Sequence, residues 1–454
     1  MTTKSFIFLG AFLTVIWGNE VSTSKQFPPG HTKISKWQYG KKAAISLTFD
    51  DNTINQFRVA MPIMNQLGLH GTFYVITGSV PGSTYKPKFI GRPVGEIINE
   101  TARIPTNRDN FFERASAVRF LGYKHTYRYH LKAGTQYEQG HIQKAYNIID
   151  KAYKKVRQGA FEASNDSIEA QKALYNVLYV DPDVDLVTWD QLKKYQAQGH
   201  ELGSHTISHP YLAVMDSVNM MYELQKSREE MKTHLGQQAT FSAECPFGTE
   251  DPRVMHYAHK IYPALRNRMP EPWLDELDRS SKANPTKSNK EYVQWQRGPL
   301  SDTRMQMMKS WVDTALRKNN IWLVLVFHGI EGIGWEPLSR DEINTYLNYI
   351  KAKDDQLWVA TFKKVTKYMR ERMSASVQTD LSSQNIAVKL THSLNPTRYD
   401  LPLTLKTSVP ASWQKVVIKQ STKSSETQVI HKKDRAFIIY QAIPNSGPIE
   451  ISPS

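Results

Sequence analysis

The sequence of 454 residues contains a single cysteine, Cys245. One cysteine excludes an intrachain disulfide and a Cys-based metal site. Cys245 precedes Pro246 and has no obvious activating base beside it, so we interpret it as a packing residue rather than a nucleophile. Long apolar runs are scarce as well. The one such run, from Phe6 to Trp17, is short, and no later run is long enough to span a bilayer.

The N-terminal run has the features of a targeting segment. Lys4 precedes it, and Ser22 and Ser24 offer a small-x-small cleavage pattern. A short apolar run behind a positive charge is typical of a signal peptide, so residues 1–24 are predicted to be one. An uncleaved N-terminal anchor is the alternative. We therefore expect a secreted or periplasmic protein without a membrane span in the mature chain.

The sequence also lacks a long Lys/Arg block, a zinc-finger pattern and an RNA-binding pattern. Its 58 Lys and Arg residues nevertheless outnumber its 43 Asp and Glu residues, which gives a net charge of +15. A basic surface attracts anionic partners in general, including acidic glycans. Without a dedicated pattern we expect a solvated basic surface and no nucleic-acid partner.

Strand-like and helical segments alternate over residues 25–375, which predicts one α/β domain. An apolar run at 43–49 stops at two aspartates, a helical stretch that Gly68 would cap follows, and a second apolar run occupies 71–76. Strand, helix and strand in this order predict a parallel sheet. Residues 321–327 form the most apolar strand of the chain.

Two segments depart from this alternation. Residues 81–186 are polar and helical in period from Phe111 onward, and they are predicted to form a helical insertion. After Ser374 the composition shifts to short alternating segments separated by prolines. Residues 380–454 are therefore predicted to form a small β-sandwich.

Candidate metal ligands follow two of the predicted strands. Asp50 and Asp51 end the first, and adjacent carboxylates repel unless a divalent metal binds one and leaves the other free as a base. A polar turn is the alternative. His205 and His209 are spaced to lie on one helical face, which suits a shared metal. With Asp51 they would make a facial triad that leaves metal positions open.

A third motif ends the most apolar strand. His328 follows residues 321–327 and precedes Gly329, so it is placed to point into a site at the strand end. A satisfied structural histidine is the alternative interpretation.

Taken together, these motifs resemble a known family. Residues 48–51 match its T-F-D-D motif, 204–210 contain H-[ST]-x-x-H, and 325–328 match L-x-x-H, all in the family's order. The family is the carbohydrate esterase group that includes chitin, peptidoglycan and poly-N-acetylglucosamine deacetylases and some acetylxylan esterases. The resemblance covers about residues 25–80 and 187–373, and it implies a distorted (β/α) barrel that acts on an acetylated polysaccharide or oligosaccharide.

The resemblance also implies roles for individual residues. Asp51, His205 and His209 would bind one divalent metal ion, usually Zn²⁺ and sometimes Co²⁺ or another ion. Asp50 would act as general base toward the attacking water, and His328 would protonate the leaving amine or alkoxide. The metal and a backbone N–H near Phe247 would stabilise the oxyanion.

Two departures from the family pattern matter. Residues 244–248 read Glu-Cys-Pro-Phe-Gly where the family has R-x-P-x-G or a variant, so the arginine that usually orients Asp50 is missing. The fourth motif, which contains Asp and Trp, has no clear counterpart. Trp295 is our candidate for a wall of the substrate pocket, with a buried structural tryptophan as the alternative. No aspartate partner can be assigned to His328.

Several functions stay open from the sequence. An N-deacetylase of an acetamido-sugar polymer is our first hypothesis, an O-acetyl esterase acting on xylan is the second, and a non-catalytic glycan-binding protein is the third. The insertion would be a groove-shaping lid or wall, for which its aromatic and basic residues argue, or a peripheral embellishment. Those residues are Tyr123, Tyr127, Arg128 and Tyr129. The C-terminal unit has few aromatics, so we expect a packing role rather than a carbohydrate-binding one.

Overall fold

The computed structural model describes residues 28–121, 124–160, 185–382, 384–432 and 435–454. The predicted signal peptide at 1–24 lies outside these residues, as do Tyr123 and the stretch 161–184 of the insertion. Among the helices that the structure describes, none combines the length and the apolarity that a membrane crossing requires.

Strands in the described residues form three sheets. In chain order they are β1 (Thr32–Ile34), β2 (Ala43–Phe49), β3 (Gly71–Val75), β4 (Glu201–Ser204), β5 (Ser242–Ala243), β6 (Ala264–Leu265), β7 (Leu274–Leu277), β8 (Tyr292–Arg297), β9 (Ile321–Phe327), β10 (Leu357–Val359), β11 (Ala375–Leu381), β12 (Ile386–His392), β13 (Leu403–Ser408), β14 (Lys415–Gln420), β15 (Lys423–Gln428), β16 (Ile430–Lys432), β17 (Arg435–Ala442) and β18 (Ile449–Pro453).

The central sheet is parallel throughout. Its strands run in the order β6-β5-β4-β3-β2-β9-β8-β7, and β10 pairs with the first half of β2. Arg266, directly after β6, donates a hydrogen bond to Thr48 on β2 although three strands lie between them. Four strand spacings in a flat sheet amount to about 19 Å, so the sheet must curl. The predicted distorted (β/α) barrel is confirmed, with β6 and β7 as its two edges.

The described residues also form helices around this sheet and beside it. They are α1 (Met61–Gln66), α2 (Val94–Glu100), α3 (Phe111–Ala117), α4 (Lys124–Glu138), α5 (Ile142–Arg157), α6 (Trp189–Ala197), α7 (Ser217–Leu235), α8 (Pro252–Ala258), α9 (Met305–Ala315), α10 (Arg340–Lys351) and α11 (Phe362–Ser374). A π-helical turn at Gln56–Ala60 precedes α1, and Gly68, at φ 65°, follows its end as predicted.

Alternation along the strands separates two faces of the barrel sheet. Leu47 and Phe49 of β2 face the helices and join the largest hydrophobic cluster. Ser46 and Thr48 face the other way and bond across the interior, Ser46 to the carbonyl of Ala360 at 2.8 Å. The polar interior of the barrel leads to the carboxyl ends of the strands, where the motif residues lie.

The helical insertion is confirmed for its described part. Helices α2 to α5 lie between β3 and α6, and they share a hydrophobic cluster with the segment that follows β4. Ala133 and Ile149 of the insertion are fully buried in that cluster together with Leu212 and Val214. The insertion is thus packed onto the barrel at the loop that contains the paired histidines.

Two antiparallel sheets form the C-terminal β-sandwich. One has the order β11-β12-β18-β14-β15, and the other has the order β1-β13-β17-β16. Strand β1 comes from the N-terminal side of the barrel and pairs with β13, which the sequence did not indicate. One hydrophobic cluster runs from Trp322 and Phe362 of the barrel to Leu405 and Ile438 of the sandwich. This continuity supports a packing role for the sandwich.

The aromatic residues of the sandwich also bear on its role. Phe437 and Tyr440 are buried, and Tyr399 and Trp413 are partly buried against the shared cluster. These four side chains therefore form no exposed aromatic platform, which a carbohydrate-binding face would need.

Candidate metal and catalytic site

The predicted metal ligands meet at the carboxyl ends of β2 and β4. Asp51 Oδ1 lies 3.5 Å from His205 Nε2 and 3.3 Å from His209 Nε2. One ligand atom from each residue falls within 4.8 Å of the others, and all three residues are buried. The structure thus brings Asp51 next to two histidines that lie more than 150 positions later in the sequence.

The convergence of the two histidines has a different cause from the one that we predicted. Residues 205–209 form a turn after β4, not a helix, so the argument from one helical face is wrong. Thr206 and His209 take left-handed backbone conformations with φ of 66° and 55°. Asp51 does so too, at φ 75°. Such conformations in non-glycine residues are costly and cluster at functional sites.

The donor set fits a divalent cation. His205 donates its Nδ1 proton to the carbonyl of Glu244 at 2.8 Å, which leaves the Nε2 lone pair facing Asp51. A second imidazole nitrogen, Nε2 of His209, faces the same carboxylate oxygen. Lone pairs that converge in a buried place repel each other unless a cation lies between them, and two imidazoles with one carboxylate are typical zinc or non-haem iron ligands.

The second aspartate of the motif is bound differently. Both carboxylate oxygens of Asp50 accept hydrogen bonds from Arg266, at 2.8 Å and 2.6 Å. Burial by itself would raise the pKa of Asp50, but the Arg266 guanidinium, with His328 and His205, lowers it below its ordinary value. Asp50 is therefore held ionised and in one orientation, while Asp51 is left for the metal.

Arg266 is the functional residue that the sequence analysis missed. It is buried between Asp50 and Glu244, whose Oε1 lies 3.0 Å from Arg266 Nη2, and its guanidinium lies over the ring of Tyr74 at 5.0 Å. Glu244 occupies the place of the family's arginine in the third motif, and it binds the arginine that β6 supplies. The orienting cation is thus present, but it comes from the next strand.

A sequence signal for this arginine existed. Arg266 directly follows Ala264–Leu265, a short apolar stretch, just as Asp50 and His328 directly follow theirs. A charged residue at the end of each apolar strand would have placed Arg266 at the same edge of the sheet.

His328 lies where the sequence predicted it. Its Nε2 atom is 3.5 Å from Asp50 Oδ2. Burial lowers the pKa of His328 to about 4, against the opposing effect of the two aspartates. Gln56, in the π-helical turn, donates through its side-chain amide to the carbonyls of Asp50 and His328, the latter at 2.7 Å. This glutamine ties the first and the last motif together.

The histidine turn is supported from behind by a buried polar network. Glu223 of α7 accepts hydrogen bonds from the backbone N–H groups of Ile207 and Ser208, each at 3.0 Å. Arg119 of the insertion neutralises Glu223 at 3.3 Å and donates to the Ser208 hydroxyl. Tyr127 of α4 donates its hydroxyl proton to the carbonyl of His209.

These contacts change the interpretation of the insertion. Tyr127 is fully buried, and so cannot stack on a sugar, whereas Arg128 is exposed and Tyr129 partly buried. Arg119 and Tyr127 both contact the histidine turn. The insertion therefore supports the turn that carries His205 and His209.

Two exposed aromatic rings flank the site. Phe247, 38% exposed at φ 64°, lies edge-on to His209 at 4.7 Å and stacks on Tyr211 at 4.8 Å. Trp335, 48% exposed, lies edge-on to His328 at 4.6 Å, and the sequence analysis did not single it out. The loop after His328 can fold back to place Trp335 there because residue 329 is a glycine. A Cβ at this position would lie 2.9 Å from the Trp335 carbonyl, which is too close.

Trp295 lies elsewhere. It is 5% exposed and belongs to the large hydrophobic cluster on the helix-facing side of β8. Gln294 and Gln296 are the residues of β8 that face the interior, where both donate to the carbonyl of Arg266. The structure thus places Trp295 with the core rather than beside Asp50 and His328.

Comparison with known proteins confirms the family resemblance. Residues 164–262 match the family model described as polysaccharide deacetylase. This stretch contains His205, His209 and Glu244 but neither the two aspartates nor His328. A curated gellan lyase from a Bacillus species is 24% identical over 282 residues, which cover 57% of this chain and 11% of that protein. The chain thus spans about a tenth of the length of this relative.

Solved structures are similar to this chain at lower sequence identity. A crystal structure described as a putative polysaccharide deacetylase from Mycobacterium smegmatis shares 12% identity at a TM-score of 0.34, covering 77% of this chain and 96% of that one. A family 4 carbohydrate esterase from Bacillus subtilis shares 11% identity at a TM-score of 0.32, covering 75% of this chain and 84% of that one.

Proposed function

We propose that this chain is a metal-dependent hydrolase that removes acetyl groups from a polysaccharide, most simply by N-deacetylation of an acetamido-sugar polymer. One observation carries the proposal. Asp51, His205 and His209 converge as a ligand set beside an Arg-bound carboxylate, Asp50, which itself lies within 3.5 Å of His328. A ligand set, a base and an acid in one buried place are what hydrolysis of an acetyl group requires.

The ion would be held by Asp51, His205 and His209. When bound, a divalent ion supplies Lewis acidity, which polarises an acetyl carbonyl and makes water more acidic. Zn²⁺ suits this donor set, and Co²⁺ or another divalent ion is compatible with it.

Asp50 would serve as the general base. Arg266 holds both of its carboxylate oxygens, so the carboxylate cannot rotate away from the reacting water. The lowered pKa of Asp50 keeps it ionised, at the cost of basicity. Asp50 is thus held beside the ligand set as an ionised and oriented carboxylate that would accept a proton from water.

His328 would deliver the proton to the leaving group. With a pKa of about 4 the free imidazole is neutral, so it needs a proton before it can act as an acid. Asp50 Oδ2, at 3.5 Å, is the nearest source of the proton taken from water. The water oxygen bonds to the acetyl carbonyl carbon, and the bond from that carbon to nitrogen, or to oxygen in an ester, breaks. Acetate and an amine or alcohol are the products.

The exposed aromatics favour a glycan as substrate. Phe247 and Trp335 both lie beside the site, one against His209 and the other against His328. Exposed aromatic rings present apolar faces, and the apolar faces of sugar rings pack against them. The lyase activity in the relative's name is not carried over, because the chain spans only 11% of that protein.

Acetate release from chitooligosaccharides, acetylated xylan and peptidoglycan tests the proposal. We expect release from the acetamido-sugar substrates, dependent on a divalent ion and abolished by Asp50→Asn. Release from acetylated xylan alone would identify an O-acetyl esterase. No release from any substrate by metal-loaded protein, together with binding to one of them, would identify a glycan-binding protein.

A further inference from the structure

A cavity of about 270 Å³ opens beside the candidate site at the ends of β5, β7 and β8. Glu244 and Phe247 belong both to the site and to the lining of this cavity, and Gln296 lines its β8 side. Its volume is near the lower end of small-molecule pockets, about 300 Å³, which suits one sugar unit. Arg279, two residues after the end of β7, also lines it.

The Arg279 guanidinium has no partner of its own. Within the described part of the chain it makes neither a hydrogen bond nor an ion pair, although it is only partly exposed. A guanidinium withdrawn from water ordinarily pairs with an acid. Burial and the nearby Arg266 lower the pKa of Arg279, although Asp50, Glu244 and Asp51 act in the opposite direction.

The acids around the cavity are already engaged by other groups. Glu244 pairs with Arg266 at 3.0 Å, and Glu250 with Arg268 at 3.5 Å. Asp278 accepts hydrogen bonds from the backbone N–H groups of residues 280 and 281, each at 2.8 Å. No one of these acids lies within ion-pair distance of Arg279, so its charge is left for a ligand.

The surrounding structure leaves room for this side chain and holds the loop that carries it. A Cβ at Gly248 would lie 3.4 Å from Arg279 Nη2, and a Cβ at Gly298 would lie 3.3 Å from Arg279 Cδ. Arg297 donates to the carbonyls of Asp278 at 3.1 Å and of Ser281 at 2.8 Å, which holds the loop around Arg279. The guanidinium is thus presented by an ordered loop between two glycines.

We propose that Arg279 binds the carboxylate of an acidic sugar residue, such as a uronic acid, next to the sugar that loses its acetyl group. This inference rests on the proposed function and narrows it to an acidic acetylated polysaccharide. A planar guanidinium binds a carboxylate through two parallel hydrogen bonds, which gives both affinity and orientation. The basic surface of the chain, with net charge +15, would draw such a polymer to it.

A matched pair of oligosaccharides tests the inference by binding alone. The probe is a hexasaccharide of alternating N-acetylhexosamine and uronate, and its partner is the same hexasaccharide with each carboxyl reduced to a hydroxymethyl group. Affinities are measured by calorimetry on the full metal-loaded chain carrying Asp50→Asn, so that no acetate is released. We expect the acidic form to bind roughly 10-fold or more tightly, because a charge-assisted pair is lost on reduction.

Arg279→Met should bring the ratio of the two affinities close to one. Arg317→Met is the matched control, because it removes the same charge from an exposed residue before the start of β9, at the opposite end of the barrel. It should keep the ratio. Arg279→Lys keeps the charge but loses the planar guanidinium with its two parallel donors, so it should keep part of the preference for the acidic form. If the methionine variant fails to fold, the lysine variant and the control decide the question.

Equal binding of the two oligosaccharides would overturn the inference, as would a ratio that survives Arg279→Met. Acetate forms the second arm of the test. If Arg279→Met weakens the binding of acetate but not the preference between oligosaccharides, the arginine serves the product and the inference is wrong. An intact preference without acetate release by the wild-type chain would reject the proposed reaction and leave the acidic subsite standing.

Discussion

The carboxyl edge of the barrel and the C-terminal sandwich differ in what they bury. At the barrel edge the buried groups include Asp50, Asp51, Glu244, Arg266 and His205. In the described residues after Ala375, no Asp, Glu, Lys or Arg is buried, and the buried polar residues are two threonines. The buried part of the sandwich is thus mostly apolar.

This difference shows where the chain accepts a cost in stability. Desolvated charges contribute little net stability even when they are paired, whereas apolar packing contributes directly. Charges are nevertheless buried at the barrel edge, in the one region where the motifs converge. The contrast indicates that the barrel edge serves chemistry and that the sandwich serves stability.

The largest expected effect separates the two regions by activity. Asp50→Asn keeps the shape of the side chain but removes the base, so turnover should fall roughly 10²-fold or more. The metal content should stay, since Asp51 is the ligand. Acetate release under saturating substrate measures the loss. Near-normal turnover in this variant would refute the role of Asp50.

Arg266→Met and Leu405→Ala compare the regions by stability. Removing Arg266 leaves Asp50 and Glu244 buried without their cation, which should cost about 3–5 kcal/mol in the free energy of unfolding. Leu405 is fully buried in the sandwich, and its truncation should cost about 2–5 kcal/mol.

Turnover then distinguishes the two variants. At a temperature where both remain folded, Arg266→Met should lose activity, because Asp50 is no longer oriented, and Leu405→Ala should keep it. Denaturant unfolding and acetate release give both quantities. Loss of activity in the folded Leu405→Ala variant would mean that the sandwich takes part in the reaction.

Two tyrosines give a finer comparison. Tyr127 donates its hydroxyl proton to the carbonyl of His209, and Tyr440 in the sandwich bonds Thr407 at 3.0 Å. Each Tyr→Phe change should cost about 1 kcal/mol in the free energy of unfolding. Tyr127→Phe alone should also weaken metal binding, by roughly 10-fold, because the histidine turn loses a support. Metal titration of the two variants checks this, and equal affinities would show that the insertion does not act on the ligands.

A further comparison concerns a half-buried acid of the barrel, Glu276. Burial, with Glu250 and Glu271 nearby, raises the pKa of Glu276 to about 8, against the hydrogen bond from Met269 N–H and the charge of Arg268. The folded state therefore binds more protons than the unfolded state between pH 4.5 and about 8, and stability falls as the pH rises through this window.

Glu276→Gln should remove this contribution, so the loss of stability between pH 5 and pH 8 should be smaller than in the wild type. Unfolding free energies at the two pH values measure it. An unchanged difference would mean that Glu276 is ionised in the folded protein at neutral pH.

Much of the architecture could be predicted because its signals are local. The apolar runs at 43–49 and 321–327 end abruptly at charged or polar residues, and those ends define the barrel edge. The motif residues Asp50, Asp51 and His328 were therefore placed correctly at strand ends. Alternating apolar residues after 375 likewise predicted the sandwich.

What the sequence did not reveal depends on contacts between distant parts of the chain. Arg266 orients Asp50 from 216 positions away, and β1 joins the sandwich by pairing with residues more than 370 positions later. The histidine turn depends on left-handed backbone at Thr206 and His209, which no propensity favours. Trp335 reaches His328 through a loop that folds back on itself. Trp295 was assigned to the pocket only as a candidate for the tryptophan of the family's fourth motif.

The metal content of the purified chain tests the central claim most directly. We predict about one divalent ion per chain in the wild type and in Asp50→Asn, measured by elemental analysis against protein concentration. The double variant His205→Ala and His209→Ala should retain almost none, because Asp51 alone cannot hold the ion. Full occupancy in that double variant would contradict the assignment of the ligand set.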